Sequence, residues 1–267
     1  MNTGDVPSPT PDAFMTDYHV HVTAWRGKDP EMTVAGALRR ARELGLVEIG
    51  LLEHLAPSRG RPVSSLEGIR NDLETVKVPE GLRVVRGVET DVTPEGTFEG
   101  PPDVRETLEL DYVIAAIHGA SPGTPDADLL EDHLRRMLAV LEGETPFEIM
   151  AHPWRGAYKR AVAALGRPPS FDVVPAAMQE KLIEACAARG VAVEVNAGSP
   201  LVDPAHDAFL TRALAAGLKL ATGSDAHYLR SIEAHRRCVD ALKRIGAGPA
   251  DVWRPATSPG ARRQDDP

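Results

Sequence analysis

Short apolar runs alternate along this chain with stretches in which apolar residues recur every three or four positions. The wider spacing predicts helices near 30–44, 65–76, 126–141, 176–189, 205–215 and 230–245. Pro30 is the expected start of the first helix and Gly45 its expected stop. We therefore predict an α/β fold in which parallel strands are joined by helical crossovers and covered on both faces. The short runs predict seven strands, at 16–22, 46–52, 82–88, 112–117, 147–150, 191–195 and 218–222.

The two ends of the chain differ in composition from its middle. Residues 1–15 contain Pro7, Pro9 and Pro11 among small polar residues, and the end of the chain is rich in Gly, Arg and Asp. We expect a flexible N-terminal arm over 1–15 and a flexible C-terminal tail over 251–267. No shift in composition divides 16–250, and α/β barrels often reach this length as one unit, so a single domain is predicted there.

Ionisable side chains concentrate at one end of the predicted strands. In the first strand, alternation places Tyr18 and Val20 on one side and Asp17, His19 and His21 on the other. The C-terminal ends of the strands are where α/β barrels gather their active-site residues. The residues at or near these ends are His19, His21, Glu53, His54, Glu89, His118, His152, Glu194, Asp225 and His227.

This set offers nitrogen and oxygen ligands and no thiolate, a composition that suits Zn, Mn or Fe. Its members exceed what one ion needs when a substrate position is left open, so two or three divalent ions are predicted. The remaining histidines, His133, His206 and His235, are expected on solvated helix faces. Cys186 and Cys238 are expected as buried thiols without a disulfide, which indicates a reducing compartment.

The charge of the chain limits its partners. With 30 basic and 39 acidic residues the formal net charge is -9, which argues against a large surface for long nucleic acid. Only 4% of the residues are aromatic, so few side chains are available to stack on bases. A small phosphorylated substrate fits better, because bound metal supplies positive charge. No apolar run approaches the ~18 residues of a membrane span and no signal peptide is evident, so a cytoplasmic protein without a membrane partner is expected.

Seven motifs, in this order, resemble those of the PHP family, the metal-dependent phosphoesterases named for polymerase and histidinol phosphatase. The resemblance implies a distorted seven-stranded (β/α)7 barrel, similar to a TIM barrel, with up to three metal ions. Glu53-His54 is similar to the histidinol-phosphatase branch. The motifs are Asp17-Tyr18-His19-Val20-His21, Glu53-His54, Gly87-Val88-Glu89, Asp111-Tyr112-Val113-Ile114 followed by His118, Ala151-His152-Pro153, Glu194-Val195-Asn196 and Gly223-Ser224-Asp225-Ala226-His227.

The resemblance also implies how the ligands are shared. Glu89 would bridge two ions, and His54 and His227 would serve a third. Family members with a complete third site usually carry a further histidine where this chain has Gly27. The third ion is therefore expected to be weak, absent, or completed by a nearby group such as Asp29. The ligands implied for the first ion are His19, His21, Glu89 and Asp225, and those for the second are Glu89, His118 and His152.

The predicted function is hydrolysis of a small phosphomonoester by attack of a metal-bound hydroxide, with histidinol phosphate as the best single substrate. Catalytic roles fall to Glu89, Asp225 and Asp17, the last as an orienter of a ligating imidazole. The planar fork of arginine suits phosphate oxygens, which favours Arg155. The other substrate-binding candidates are Lys159, Arg26 and Asn196, and further loop cations that follow strands are Arg59, Arg61, Arg160 and Arg230.

Two alternatives stay open at this point. The first is a phosphodiesterase or exonuclease acting on nucleotides or short oligonucleotides, an activity that the PHP resemblance also allows. The second is a metal-stabilised binding module without turnover, against which the large set of candidate ligands argues.

Overall fold

A nearly closed parallel barrel forms the centre of the protein. The computed structural model describes residues 13–22, 29–166, 168, 170–198 and 203–256. The strands follow the order β1-β2-β4-β5-β6-β7-β8, and β3 continues the path of β2 alongside β4. All of these pairings are parallel, which confirms the predicted (β/α)7 barrel. The bounds are β1 Thr16–His21, β2 Glu48–Leu52, β3 His54–Leu55, β4 Arg83–Asp91, β5 Tyr112–Ala116, β6 Ile149–Met150, β7 Ala192–Asn196 and β8 Leu220–Gly223.

The first and last strands are neighbours, which brings the barrel close to closure. Val20 forms a parallel bridge with Ala226, just beyond β8. The hydroxyl of Thr222 donates a hydrogen bond of 2.6 Å to the carbonyl of Thr16. Because the strands are parallel and nearly encircle the interior, their C-terminal ends face one common mouth.

A bulge in β1 interrupts its alternation. Asp17 pairs with Ile49 and Val20 pairs with Leu51, so β1 contains one more residue than β2 over this interval. Tyr18 packs with the cluster inside the barrel, whereas Val20 packs with the cluster outside it. The prediction that Tyr18 and Val20 lie on the same side is therefore wrong.

Eight α-helices and five short 3-10 helices surround the barrel in the described part of the chain. The first α-helix begins at Val34 and not at Pro30, because the Thr33 side chain caps it by accepting a 3.0 Å hydrogen bond from the Gly36 amide. The α-helices are α1 Val34–Leu44, α2 Ser64–Thr75, α3 Val104–Thr107, α4 Leu129–Glu142, α5 Arg155–Ala164, α6 Ala176–Arg189, α7 Pro204–Ala215 and α8 His235–Arg244. The 3-10 helices are Pro57–Arg59, Asp126–Asp128, Phe171–Val173, Leu229–Ala234 and Pro249–Asp251. Helices α3 and α5 lie outside the stretches predicted to be helical.

Aromatic side chains fill the barrel interior below the mouth. Tyr112 occupies a space next to Gly87, where a Cβ atom would lie 2.3 Å from the tyrosine Cζ atom. Trp253 packs its ring edge-on to Tyr18, with 4.9 Å between the ring centroids, and its amide donates to the carbonyl of Leu220. Trp253 is only 9% exposed. Interior packing therefore extends to a residue well beyond the last strand.

Each of the two ends expected to be flexible contains residues that pack against the core. The tail expected over 251–267 is wrong for 251–256, because Val252 and Trp253 are buried. The arm expected over 1–15 is wrong at its last residues, because Phe14 and Met15 are partly buried against the core. Residues 1–12 and 257–267 lie outside the described residues.

The three histidines predicted on solvated helix faces are buried, so that prediction is wrong. His133 is 2% exposed, His206 4% and His235 0%. Each lies on a helical face that neighbouring elements cover: the ring of His206, for example, lies 4.8 Å from that of Phe171. Both cysteines are buried and unpaired, as predicted. Among the described helices, none combines the length and the apolar character needed to span a bilayer.

Candidate metal centre

The strand-end side chains converge at the mouth of the barrel. Four overlapping groups of histidine and carboxylate residues have ligand atoms within 4.8 Å of one another. These groups contain every residue that the sequence analysis proposed as a metal ligand, namely His19, His21, His54, Glu89, His118, His152, Asp225 and His227.

Divided by the atoms that they face, these donors form three groups. The first surrounds Oε2 of Glu89, and His54 Nδ1 also lies 2.8 Å from that oxygen. The Nε2 atoms of His19 and His21 lie 3.1 Å apart, and they are 3.3 and 3.4 Å from Glu89 Oε2. Asp225 Oδ1 lies 3.7 Å from His19 Nε2 and 3.5 Å from His21 Nε2. Two imidazole nitrogens and two carboxylate oxygens thus surround a single point, which is a donor set able to hold one divalent ion.

The second group surrounds the other oxygen of the same carboxylate. Glu89 Oε1 lies 3.2 Å from His118 Nε2 and 3.1 Å from His152 Nε2. The two oxygens of Glu89 therefore face two different sets of imidazoles. A carboxylate in this position is able to bridge two cations.

A third group consists of histidine rings only. The ring of His21 lies 4.3 Å from that of His54 and 4.2 Å from that of His227. The PHP resemblance implied that His54 and His227 serve a third ion and His21 the first, whereas in the structure His21 lies within reach of both groups. Asp29, considered as a substitute ligand, accepts hydrogen bonds from the amides of Glu31 and Leu229 and belongs to none of the four groups. Gly27 lies outside the described residues.

Two carboxylates hold ligand imidazoles in orientation. Glu194 Oε1 lies 2.6 Å from His19 Nδ1, and Asp91 Oδ1 lies 2.6 Å from His118 Nδ1. Each contact leaves the Nε2 atom of the ring turned toward Glu89. Carboxylates in this position fix the tautomer of a metal-binding histidine and raise its basicity. Asp91 was not among the predicted site residues, although its position two residues after Glu89 on one strand predicts the same face.

Asp17 has a different role from the predicted one. Its Oδ1 atom accepts hydrogen bonds from the backbone amides of His19 and Ser224, at 3.2 and 2.9 Å, and it does not contact an imidazole nitrogen. Asp17 therefore joins the end of β1 to the loop after β8. Glu194 takes the orienting role instead, and Gly223 makes room for it, since a Cβ atom there would lie 2.0 Å from Glu194 Oε1.

Burial and charge set the protonation of the ligands. Burial lowers the pKa of His54 to about 4 and that of His227 to about 2. Both rings are therefore neutral near pH 7, which is the form that binds metal. Burial also opposes ionisation of Glu89, but His19 and His118 hold the pKa of its carboxyl well below the usual range. Glu89 is thus ionised near pH 7, which is the form in which a carboxyl group binds metal.

Two residues of this centre have left-handed backbone conformations that are unusual for residues other than glycine. The φ angle is 27° at His152 and 55° at Asp225, and it is 59° at Trp154, which begins the turn into α5. Such conformations are disfavoured by sterics and persist where the surrounding structure enforces them. They aim the side chains that follow β6 and β8 into the mouth.

The mouth above the ligands is a cavity of about 420 Å³ with a basic lining. Arg155 and Lys159, two of the candidate substrate-binding residues, line it, and Arg155 forms an ion pair with Asp225 Oδ2. Asn196 is buried and its Oδ1 atom accepts a hydrogen bond from the Gly198 amide, so its side chain is not part of the lining. Arg26 lies outside the described residues. Among the described residues, the lining consists of His54, Arg59, Arg61, Ile117, His118, His152, Arg155, Gly156, Lys159, Asp225 and His227.

The remaining loop cations point elsewhere. Arg160 pairs with Asp126, and Arg230 lies over the ring of Tyr228 in a separate cleft that also contains Asp29. Neither contributes to the lining of the mouth.

The ligand residues fit a bound cation on structural grounds. Glu89 is fully buried, and its Oε2 atom accepts no hydrogen bond within the described part of the chain. Ring nitrogens of His19, His21 and His54 nevertheless lie within 3.4 Å of it. Buried polar atoms normally have a partner, and a cation shared by the carboxylate and the imidazoles would provide one.

The chain is similar, at low sequence identity, to two named proteins. No family model matches the chain. DNA polymerase/3'-5' exonuclease PolX of Bacillus subtilis is 24% identical over 232 residues, which are 85% of this chain and 37% of PolX. A probable phosphatase of Shewanella piezotolerans is 24% identical over 238 residues, which are 87% of this chain and 85% of that protein. The chain thus spans little more than a third of PolX but most of the phosphatase.

A solved structure has the same fold. Histidinol phosphate phosphatase from Lactococcus lactis, complexed with Zn, L-histidinol and phosphate, matches with a TM-score of 0.58 at 15% identity, over 87% of this chain and 94% of that one. The mouth of this barrel thus carries a cluster of nitrogen and oxygen donors of the kind that binds divalent metal ions in proteins. The ordered motifs, the fold and these relatives support the resemblance to the metal-dependent phosphoesterases of the PHP family.

Proposed function

We propose that this protein is a metal-dependent phosphomonoesterase that acts on a small soluble phosphate. The observation that carries the proposal is the position of Glu89, whose two carboxylate oxygens face two separate groups of imidazoles. In this proposal His19, His21, Glu89 and Asp225 hold one divalent ion, and Glu89 with His118 and His152 holds a second. The group formed by His54 and His227, with His21 beside them, would hold a third.

At such a site, different residues of the chain would orient the metal ligands and bind the phosphate. Bound divalent ions would supply Lewis acidity, which lowers the pKa of water and offsets charge on phosphate oxygens. Glu194 and Asp91 keep the imidazoles of His19 and His118 aimed at the ions. Asp225 presents Oδ1 to the first group and Oδ2 to Arg155. The guanidinium group therefore lies beside the ligands, where its remaining N–H groups are available to a phosphate in the mouth.

Two substrate classes follow from the relatives. The similarity to a histidinol phosphate phosphatase makes histidinol phosphate the first named monoester to test. The similarity to PolX makes a nucleotide diester the main alternative. The basic mouth is small and the chain carries a formal net charge of -9, so a short substrate fits better than long nucleic acid.

The test is reconstitution followed by a substrate panel. The protein is stripped with a chelator, loaded with Zn²⁺, Mn²⁺ or Fe²⁺, and analysed for metal by elemental analysis. We expect at least two ions per chain and hydrolysis of phosphomonoesters in preference to bis(p-nitrophenyl) phosphate and a short oligonucleotide. Faster hydrolysis of the diesters would replace the proposal with the phosphodiesterase alternative. Full metal loading without hydrolysis of any ester would favour a binding module.

A further inference from the structure

The mouth of the barrel contains more cationic side chains than are needed to bind a single phosphate group. Resting on the proposed function, we propose that the natural substrate carries a second anionic group, a carboxylate or another phosphate, on the side of the molecule that leaves. Arg61 and Lys159 would bind this group, while the phosphate that is cleaved lies over the ligand cluster beside Arg155.

The four Arg and Lys side chains in the described part of the lining fall into two sets. Arg155 and Arg59 are engaged at the metal centre, because Arg155 pairs with Asp225 and Arg59 Nη1 lies 3.2 Å from Asp91 Oδ2. Arg61 and Lys159 line the same cavity but form no ion pair with the described residues. They are therefore the charges that remain free to meet a ligand.

The helix that carries Lys159 sets its distance from the reacting phosphate. Arg155 and Lys159 are four residues apart on α5, so they lie on one face of the helix with about 5–6 Å between their Cβ atoms. Partial burial and the nearby Arg155 guanidinium lower the pKa of the Lys159 ammonium group, which is consistent with this closeness. Arg155 adjoins the ligand cluster, so Lys159 lies one helical turn further along α5. This separation suits a second anion a few bonds from the first.

No carboxylate of the described lining is free to bind a cationic leaving group. Its single acidic residue is Asp225, which already pairs with Arg155 and faces the first ligand group. The segments 23–28 and 199–202, which follow β1 and β7 in sequence, contain no Asp or Glu. An amine such as that of L-histidinol would therefore meet like charges from Arg61 and Lys159. Like-charge contacts of this kind are a common source of discrimination against a ligand.

The experiment measures binding of four phosphonates, which cannot be hydrolysed as esters, to the full chain loaded with Zn²⁺. Propylphosphonate is uncharged at its far end, 3-phosphonopropionate carries a carboxylate, 3-aminopropylphosphonate carries an amine, and ethane-1,2-diylbisphosphonate carries a second phosphonate. Binding is measured by calorimetry. We expect the two ligands with two anionic groups, 3-phosphonopropionate and the bisphosphonate, to bind about tenfold more tightly than propylphosphonate, and the amine to bind more weakly than propylphosphonate. Tighter binding of 3-phosphonopropionate would identify the second anion as a carboxylate, and tighter binding of the bisphosphonate would identify it as a phosphate.

Variants test the assignment to the two residues. Lys159→Gln and Arg61→Gln should each lower the affinity ratio of 3-phosphonopropionate to propylphosphonate about fivefold to tenfold. Arg160→Gln is the matched control, because it removes the same charge from the same helix but pairs with Asp126 outside the cavity. Its ratio should equal that of the parent protein.

The possible failures can be told apart. If propylphosphonate binds and phosphomonoesters are hydrolysed, but the carboxylate and bisphosphonate ligands bind no better, the inference is wrong and the phosphomonoesterase proposal stands. If the amine ligand binds best, the inference is likewise overturned and histidinol phosphate is favoured. If none of the phosphonates binds and no phosphomonoester is hydrolysed by the metal-loaded protein, the proposed function fails and the inference fails with it.

Discussion

Glu194 lies 2.6 Å from His19, measured between Oε1 and Nδ1, at the inner end of the ligand cluster. Its other oxygen accepts a 2.7 Å hydrogen bond from the backbone amide of His152. One carboxylate thus serves both proposed ion sites, since His19 belongs to the first and His152 to the second. Both of its partners are donors, so the group must have two acceptor atoms.

Glu194→Gln should therefore loosen the metal centre while keeping its shape. A glutamine side chain offers one acceptor and one donor at this place, so either His19 Nδ1–H or the His152 amide loses its partner. We expect Zn²⁺ affinity to fall about 10–100-fold, as is usual when the partner of a ligating histidine is lost. Competition with a chromophoric chelator measures the affinity. Glu184→Gln, an exposed change on α6, is the control, and an unchanged affinity in Glu194→Gln would contradict the orienting role.

Glu89→Gln should reduce turnover far more than it disturbs folding. The amide keeps the shape of the side chain but removes the negative charge that faces both imidazole groups. We expect activity at a fixed metal concentration to fall at least about 100-fold and the metal content to fall by one ion or more. Circular dichroism should remain that of the parent protein. Glu99→Gln, which alters an exposed contact with Ser58, is the control. Near-parental activity at saturating metal would refute the bridging assignment.

His206 should make the stability of the fold sensitive to acid. Burial lowers its pKa to about 4, although Asp207 and Asp203 oppose this shift; Arg244 adds to it. The ring is thus neutral in the folded protein and binds a proton near pH 6.5 only after unfolding. Above about pH 6.5 the ring is neutral in both states and does not lower the free energy of unfolding. As the pH falls toward 4, protonation of the unfolded chain lowers the free energy of unfolding by about 3 kcal/mol in total.

Urea unfolding of chelated protein between about pH 7 and pH 5 tests this prediction. In His206→Gln the free energy of unfolding should fall less steeply with decreasing pH than in the parent protein. Absolute stability is not the readout, because the substitution also changes packing against Phe171. The buried ligand histidines titrate equally in both proteins and cancel in the difference. Identical slopes would show that His206 is not held neutral by burial.

Trp253→Ala should destabilise the barrel although the residue lies beyond the last strand. The indole packs against the rings of Tyr18 and Tyr112 and is almost wholly buried. Truncation of such a side chain costs about 3–5 kcal/mol. Chemical denaturation measures the loss, and Trp253→Phe, which retains a ring, should lose less. A cost below about 0.5 kcal/mol in Trp253→Ala would mean that this segment is only loosely attached.

The helices and strands could be predicted largely from local pattern, and their bounds less well. Helix α6 begins and ends at the predicted residues, because its apolar spacing and the final glycine are both local signals. Helix α5 was not predicted, because it follows Trp154 in a left-handed conformation and has no capping side chain that would mark its start in the sequence. The burial of His133 was also missed. A helical periodicity does not reveal that other helices cover more than one face of α4.

The sequence by itself determined which residues would meet. Parallel strands bring their C-terminal ends to one mouth, so histidines and carboxylates placed at those ends converge whatever the details of packing. Only the tertiary structure decided how they pair: the bulge that turns Tyr18 inward, the division of the Glu89 oxygens between two groups, and the use of Asp17 to bind the Ser224 amide. The physical reason is distance along the chain. Asp17 and Ser224 are 207 residues apart, and a periodic pattern records which way a side chain faces but not which distant group it finds there.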